Sequence, residues 1–260
     1  VNRMLHQSPS NPVVSFRFYG TLNDFLPPQW KQRNMVLPYQ NHQSVKDAIE
    51  SLGVPHPEIH LILINGQPAG FDQGLEPNLR ISVYPFFYQI DTSPLELANP
   101  VPYDALKFIL DVHLGKLARY LRFAGFDAVL LPFLEDHEIV SEASRQNRII
   151  LTRDIGLLKI RKARYGYWLR SQNPEKQFLE VMHHFRIRKS DFYPWKRCSL
   201  CNNLIQPIEK SLIESTLKPG TRARFSDFFQ CENCGKIYWK GSHFEKLDHW
   251  LTTIMNDLDQ

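Results

Sequence analysis

The four cysteines of the chain fall into two pairs, Cys198-Ser-Leu-Cys201 and Cys231-Glu-Asn-Cys234, with 29 residues between them. Each Cys-x-x-Cys turn is a knuckle that offers two thiolates to one tetrahedral metal. The spacing therefore predicts a structural zinc ribbon with an inserted loop, KSLIESTLKPGTRARFSD, in its middle. With all four positions filled by protein, such a metal has no place for substrate and contributes folding energy rather than a nucleophile. The competing readings are two disulfides, free core cysteines or a redox pair. A reducing compartment disfavours disulfides, and neither pair opens a helix behind a strand, as thiol exchange requires.

The second set of chemical groups is acidic: Asp111 after KFIL, Asp136 after AVLLPFLE and Asp154 after RIILT, with Arg153 before it. Each follows a predicted parallel strand, and in such a sheet the carboxyl ends of the strands share one edge, where ligands bind. Each Asp could equally serve as the N-cap of the next helix. Ser, Thr or Asn would cap as well, so three Asp in three turns favour a divalent-cation site. Hard oxygen ligands suit magnesium or manganese, which could activate a water for attack on a phosphodiester. Lys116 and Arg119 near Asp111, Arg153 near Asp154, and Arg170 at the next strand's end are expected to hold the phosphates of the substrate. Trp168, Tyr165 and Tyr167 offer stacking faces for unpaired bases. Glu135, Glu138 and Glu142 are equally explained as acids matching a helix dipole. His113 is left outside the predicted site.

The elements that must position these groups are legible as periodic runs. VVSFRF at 13–18 alternates as a strand, and Val45, Ala48, Ile49 and Leu52 share a helical face that Gly53 ends. HLILI at 60–64 and RISVYPF at 80–86 read as further strands, with Asn65-Gly66 as a tight turn between them. Proline and acidic residues over 91–104 suit a linker. From 107 onward KFIL, AVLL and RIILT alternate with helical stretches, the signature of a parallel sheet with crossover helices. Leu114, Leu117, Ala118 and Leu121 form the apolar stripe of the first of these helices, which leaves Lys116 and Arg119 on other faces. Hydrophobic residues at 43% and charged residues at 22% describe a globular chain. No apolar run is long enough to span a membrane, and the start, VNRMLHQSPS, lacks the apolar core of a secretory signal, so a cytoplasmic location is expected. Residues 1–100 hold 6 Lys and Arg against 8 Asp and Glu, whereas the remainder holds 25 against 19. That asymmetry points the later part toward a polyanion.

The stretch KFILDVHLGKLARYLRFAGFDAVLL, with RIILTRDIGLL, YGYWLRS and CGKIYWKGSHFEKL, resembles the Mut-seven carboxy-terminal RNase domain, a PIN-like nuclease fold followed by a zinc ribbon. The part ending in HLILINGQPAGF and RISVYPFF is similar to the ubiquitin-like β-grasp domain that precedes it in bacteria. The resemblance implies an α/β protein in four parts: a β-grasp domain at 12–90, a linker at 91–104, a PIN-like RNase domain at 105–192 and a zinc ribbon at 193–250. It implies metal-dependent cleavage of single-stranded RNA, with Asp111 and Asp154 on the acidic positions and Asp136 as the third. A fourth acid is not evident beyond Asn173 and Glu175. The β-grasp part ends in VYPFF rather than Gly-Gly, which excludes a carrier role and leaves recruitment of a protein partner or substrate. The alternative is a nonenzymatic RNA- or ribosome-binding adaptor with a degenerate site.

Overall fold

The structure is a computed structural model and describes residues 12–86, 98, 106–131 and 133–258. The chain divides into two compact units, residues 1–101 with 155–167, and residues 102–154 with 168–260. The linker expected over 91–104 lies, Ala98 aside, outside the described residues.

The first unit contains β1 (Val13–Phe18), β2 (Met35–Pro38), α1 (Val45–Ser51), β3 (Leu61–Ile64), β4 (Gln67–Ala69) and β5 (Arg80–Tyr84). Its sheet has the order β2-β1-β5-β3-β4, with β1 and β5 parallel and the other pairs antiparallel. This is the β-grasp arrangement. Val14, Phe16 and Phe18 are buried on one face of β1, as the alternation of VVSFRF requires. Helix α1 begins in a capping box, in which the Ser44 hydroxyl accepts the Asp47 N–H at 3.1 Å and the Asp47 carboxylate accepts the Ser44 N–H at 3.4 Å. Gly53, at φ +102°, ends it. One expectation is corrected. Asn65 and Gly66, both at positive φ, join β3 not to β5 but to the extra strand β4. Gln-Pro-Ala has no apolar alternation, so β4 left no periodic signal.

The chain continues through β6 (Lys107–Leu110), α2 (Gly115–Phe123), β7 (Asp127–Leu130), α3 (Asp136–Arg145), β8 (Ile149–Thr152), α4 (Ile155–Leu158), β9 (Gly166–Trp168) and α5 (Pro174–His184). The sheet order is β7-β6-β8-β9, and β6 runs parallel to both β7 and β8. Phe108, Ile109, Leu110, Ile149, Ile150 and Leu151 are all buried, as central parallel strands are when both faces are covered. The predicted stripe of α2 is buried too. A third sheet, antiparallel, joins β10 (Ile205–Ile208), β11 (Phe228–Cys231) and β12 (Ile237–Tyr238), with α6 (Lys210–Ile213) and α7 (Pro219–Arg224) in the inserted loop. The last helix, α8 (Ser242–Asp257), brings Trp250 to 5.1 Å from Phe178 and 4.7 Å from Tyr120, ring centre to ring centre. Burial of a side chain such as Phe178 stabilises by about 2 kcal/mol. Among the described residues no helix is long and apolar enough to cross a membrane.

Candidate active site and metal centre

Asp111 follows β6 and Asp154 lies two residues past β8. The register pairs Leu110 with Leu151, which sets Asp111 beside Thr152. Thr152 is fully buried, and its hydroxyl donates to Asp111 Oδ2 at 3.2 Å while accepting the Asp154 N–H at 2.9 Å. One side chain thus ties the two acid-bearing turns together. Asp111 and Asp154 line a cleft of about 510 Å³ together with His113, Lys116, Arg153 and the start of α5 at Gln172, Pro174 and Gln177. That volume suits a nucleotide-sized ligand.

For Asp111 and Asp136 the helix-cap alternative is decided by the bonds. Asp111 stands at the start of a 3-10 turn, yet its side chain makes no capping bond. Asp136 is the first residue of α3 rather than its cap, which is Glu135, and the Glu138 carboxylate accepts the Glu135 N–H at 2.8 Å. Glu142 is paired with Arg145 at 2.6 Å. Asp136 is exposed and does not line the cleft, but its carboxyl is held above the usual range by burial and then by the charges of Asp154, Asp111 and Glu135. It therefore senses both cleft acids. The Asn173 side-chain oxygen Oδ1 caps α5 by accepting the N–H groups of Glu175 and Lys176. Glu180, which no sequence signal singled out, accepts the N–H groups of Arg170 and Ser171 at 2.9 and 2.8 Å, fixing the loop that leads into the cleft wall.

The basic residues divide. Lys116 and Arg153 line the cleft, whereas Arg119, exposed on α2, does not. Arg170 lies 5.1 Å over the Trp168 ring and donates to the Trp168 carbonyl at 2.6 Å. Tyr165 and Tyr167 are buried, which corrects their expected role as stacking faces. Trp168 is half-buried, with its indole N–H on the Arg153 carbonyl at 3.1 Å.

The four cysteine Sγ atoms lie within 4.8 Å of one another. Cys198 and Cys234 are 3.6 Å apart, and Cys201 and Cys231 3.3 Å. A disulfide needs about 2.05 Å, while a tetrahedron with Zn–S near 2.3 Å has edges of about 3.8 Å. The cluster therefore has the geometry of a zinc-binding site. The two knuckles share one backbone: the Asn202 N–H reaches the Cys198 carbonyl and the Gly235 N–H the Cys231 carbonyl, each at 3.0 Å, with both residues near φ +70°. The Tyr238 hydroxyl sits 2.9 Å from Cys198 Sγ. Burial pushes the Cys198 thiol up, but Tyr238 and the N–H groups of Cys201 and Leu200 outweigh it and bring the thiol down to about 6. Burial raises Cys231, and it raises Cys234 to about 12 with help from the neighbouring thiols. At neutral pH at least these two must lose protons on binding metal. Zinc affinity is expected to rise at least about a hundredfold per pH unit between pH 7 and 8. Competition with a chromogenic chelator reads this, and a slope below tenfold would contradict the two-proton account.

Among the described residues, Asp111, Asp136 and Asp154 do not form a second group of that closeness. Their donor chemistry still fits magnesium or manganese, which keep several waters and take few direct carboxylates.

Residues 106–251 match the family described as Mut7-C RNAse domain, and residues 11–91 match Mut7-C ubiquitin. The chain is similar to the human protein named Exonuclease mut-7 homolog, with 36% identity over 110 residues, 40% of this chain and 13% of that protein's length. No solved structure matches. The match over more than half of the chain, together with the cysteine cluster and the parallel sheet, places the chain in the Mut7-C RNAse domain family, with a Mut7-C ubiquitin domain before it.

Proposed function

We propose that this chain is a metal-dependent ribonuclease whose site is the cleft at the strand-ending edge of the parallel sheet. The observation that carries the reading is Thr152, a buried hydroxyl that orients Asp111 and the Asp154 turn toward the same cleft. Asp111 and Asp154, with Asp136 beside them, would hold magnesium or manganese, which supplies an activated water and charge stabilisation when bound. Lys116 and Arg153 hold the phosphate, and Arg119 and Arg170 extend the basic surface along the RNA. The zinc is structural. The β-grasp domain, over 12–90, recruits a protein partner or substrate. The RNase domain spans 105–192 and the ribbon 193–250, and a cytoplasmic setting, which keeps thiols available to zinc, suits the four-cysteine cluster.

The test is cutting of a labelled single-stranded RNA with manganese or magnesium against a chelated control. Metal-dependent cleavage is expected. RNA binding without cutting under any divalent ion would favour the second reading, a nonenzymatic RNA-binding adaptor. The observation on that side is that, among the described residues, the three aspartates form no group as close as the cysteines. Thr152→Val keeps shape but removes both bonds, and is expected to lower kcat about 10- to 100-fold with KM little changed. Thr152→Ser should restore most of the rate. A Val variant of undiminished kcat would remove Thr152 from the account.

A further inference from the structure

The two zinc knuckles have the same backbone but end differently, one in Gly235 and the other in Asn202. Glycine is the residue that a left-handed turn accepts most readily. Asn202 also uses its side chain. Its Oδ1 accepts the Ala128 N–H at 2.9 Å and its Nδ2 donates to Asp127 Oδ1 at 2.8 Å. Ala128 is fully buried on β7, the outermost strand of its sheet among the described residues, so on the open side its backbone meets no described strand. The Ala128 carbonyl is met by Arg122 Nε at 2.7 Å, and Arg122 Nη1 continues to the knuckle carbonyls of Ser199 and Leu200 at 3.2 and 2.8 Å. The exposed-edge problem of the nuclease sheet is thus solved by the knuckle. This docking is at the strand-starting edge, where Asp127, Lys107 and Arg148 lie, opposite the edge that carries Asp111 and Asp154.

We infer that zinc binding by the four cysteines and closure of the β7 edge are one coupled event, with Asn202 and Arg122 as the positioning residues that couple them. The inference rests on the zinc reading of the cysteines. Without metal the knuckle loses its fixed carbonyls and its left-handed turn. Arg122, 5% exposed and always charged, is then left with one acceptor, and the Ala128 N–H with none. The cost falls on the nuclease sheet rather than on the ribbon alone. Zinc in this chain is therefore a clamp on the nuclease domain, acting from the far end of α2, the helix whose Lys116 lines the cleft.

The experiment uses the full chain. Metal content is measured first, then amide hydrogen exchange of the zinc-loaded protein and of the same protein stripped by a chelator. Stripping is expected to speed exchange at Ala128 and through β6, β7 and α2, as well as in the ribbon. Asn202→Gly keeps the left-handed turn and removes only the side-chain bonds; Arg122→Met keeps an apolar stem. Each is expected to weaken zinc binding about tenfold in chelator competition and to shrink the melting-temperature gain that zinc gives. Should either variant fail to fold, the wild-type exchange comparison decides alone. Zinc bound stoichiometrically, with β6 and β7 unmoved by its removal, would overturn the coupling and leave the zinc reading intact. No zinc in the purified protein would overturn both.

Discussion

The Asp111→Asn/Asp154→Asn double variant is expected to bind single-stranded RNA as tightly as the unchanged protein, or more tightly, while cutting it about a thousandfold more slowly. Asparagine keeps the size of aspartate, and its carbonyl oxygen can still accept the Thr152 hydroxyl bond seen at 3.2 Å, so the edge keeps its shape. Only the charges are lost. Those charges would hold the divalent cation, and losing that interaction removes several kcal/mol of transition-state stabilisation; about 4 kcal/mol corresponds to a thousandfold in rate. Without divalent ion, two negative charges fewer beside Lys116 and Arg153 favour phosphate binding, hence the prediction that affinity holds or rises. The measurement pairs a cleavage time course with a binding isotherm at fixed salt in chelator. Cleavage at an unchanged rate would rule out this edge as the active site.

The second large effect is on stability. Asp127 accepts from Arg148 at 2.7 Å and from Asn202 at 2.8 Å, with Arg197 at 3.5 Å, and Arg148 is itself 8% exposed. Asp127→Ala leaves the Arg148 guanidinium buried without its counter-charge, and removing one partner of a buried pair costs about 3 to 5 kcal/mol. Asp127→Asn keeps the space and an acceptor, so about 1 to 2 kcal/mol is expected. Urea unfolding midpoints at neutral pH measure both. The carboxyl also fixes a pH window. Burial pushes its pKa up, but the bonds from Arg148 and Asn202 and the neighbouring cations outweigh it, so the pKa ends below the ordinary carboxylate value. A group depressed on folding stabilises above its unfolded pKa of about 3.9, and that contribution is lost as pH falls through the lower folded value. The acid limb of the stability curve should therefore flatten in Asp127→Asn. A loss under 1 kcal/mol for Asp127→Ala would show that the network adds nothing beyond packing.

Much of this molecule was legible because its strongest signals are local. The paired Cys-x-x-Cys turns pointed to the cysteine cluster, since four thiols at knuckle spacing have few other uses. Buried runs such as KFIL and RIILT gave the central strands, and the acids that follow them gave the edge, because every carboxyl end of a parallel sheet lies on one side. The fourth-acid question shows the limit. Glu180 lies ten residues past Arg170, and only the folded chain shows it committed to two backbone N–H groups.

Sequence by itself determined which residues could do chemistry and on which elements they sit, because periodicity and turn residues report on neighbours within a few positions. Tertiary structure alone decided how those residues are used. It tied Asp111 to Thr152 across two strands instead of to a helix end, and it turned Lys116 and Arg153 into the cleft while Arg170 folded back on Trp168. It also buried Tyr165 and Tyr167, and it set the Asn202 knuckle on the strand-starting edge of the nuclease sheet. The Asp111–Thr152 and Asn202–Ala128 bonds each pair groups 40 or more residues apart, and the burial of Tyr165 and Tyr167 rests on which side becomes covered. Neither leaves a repeat in the sequence.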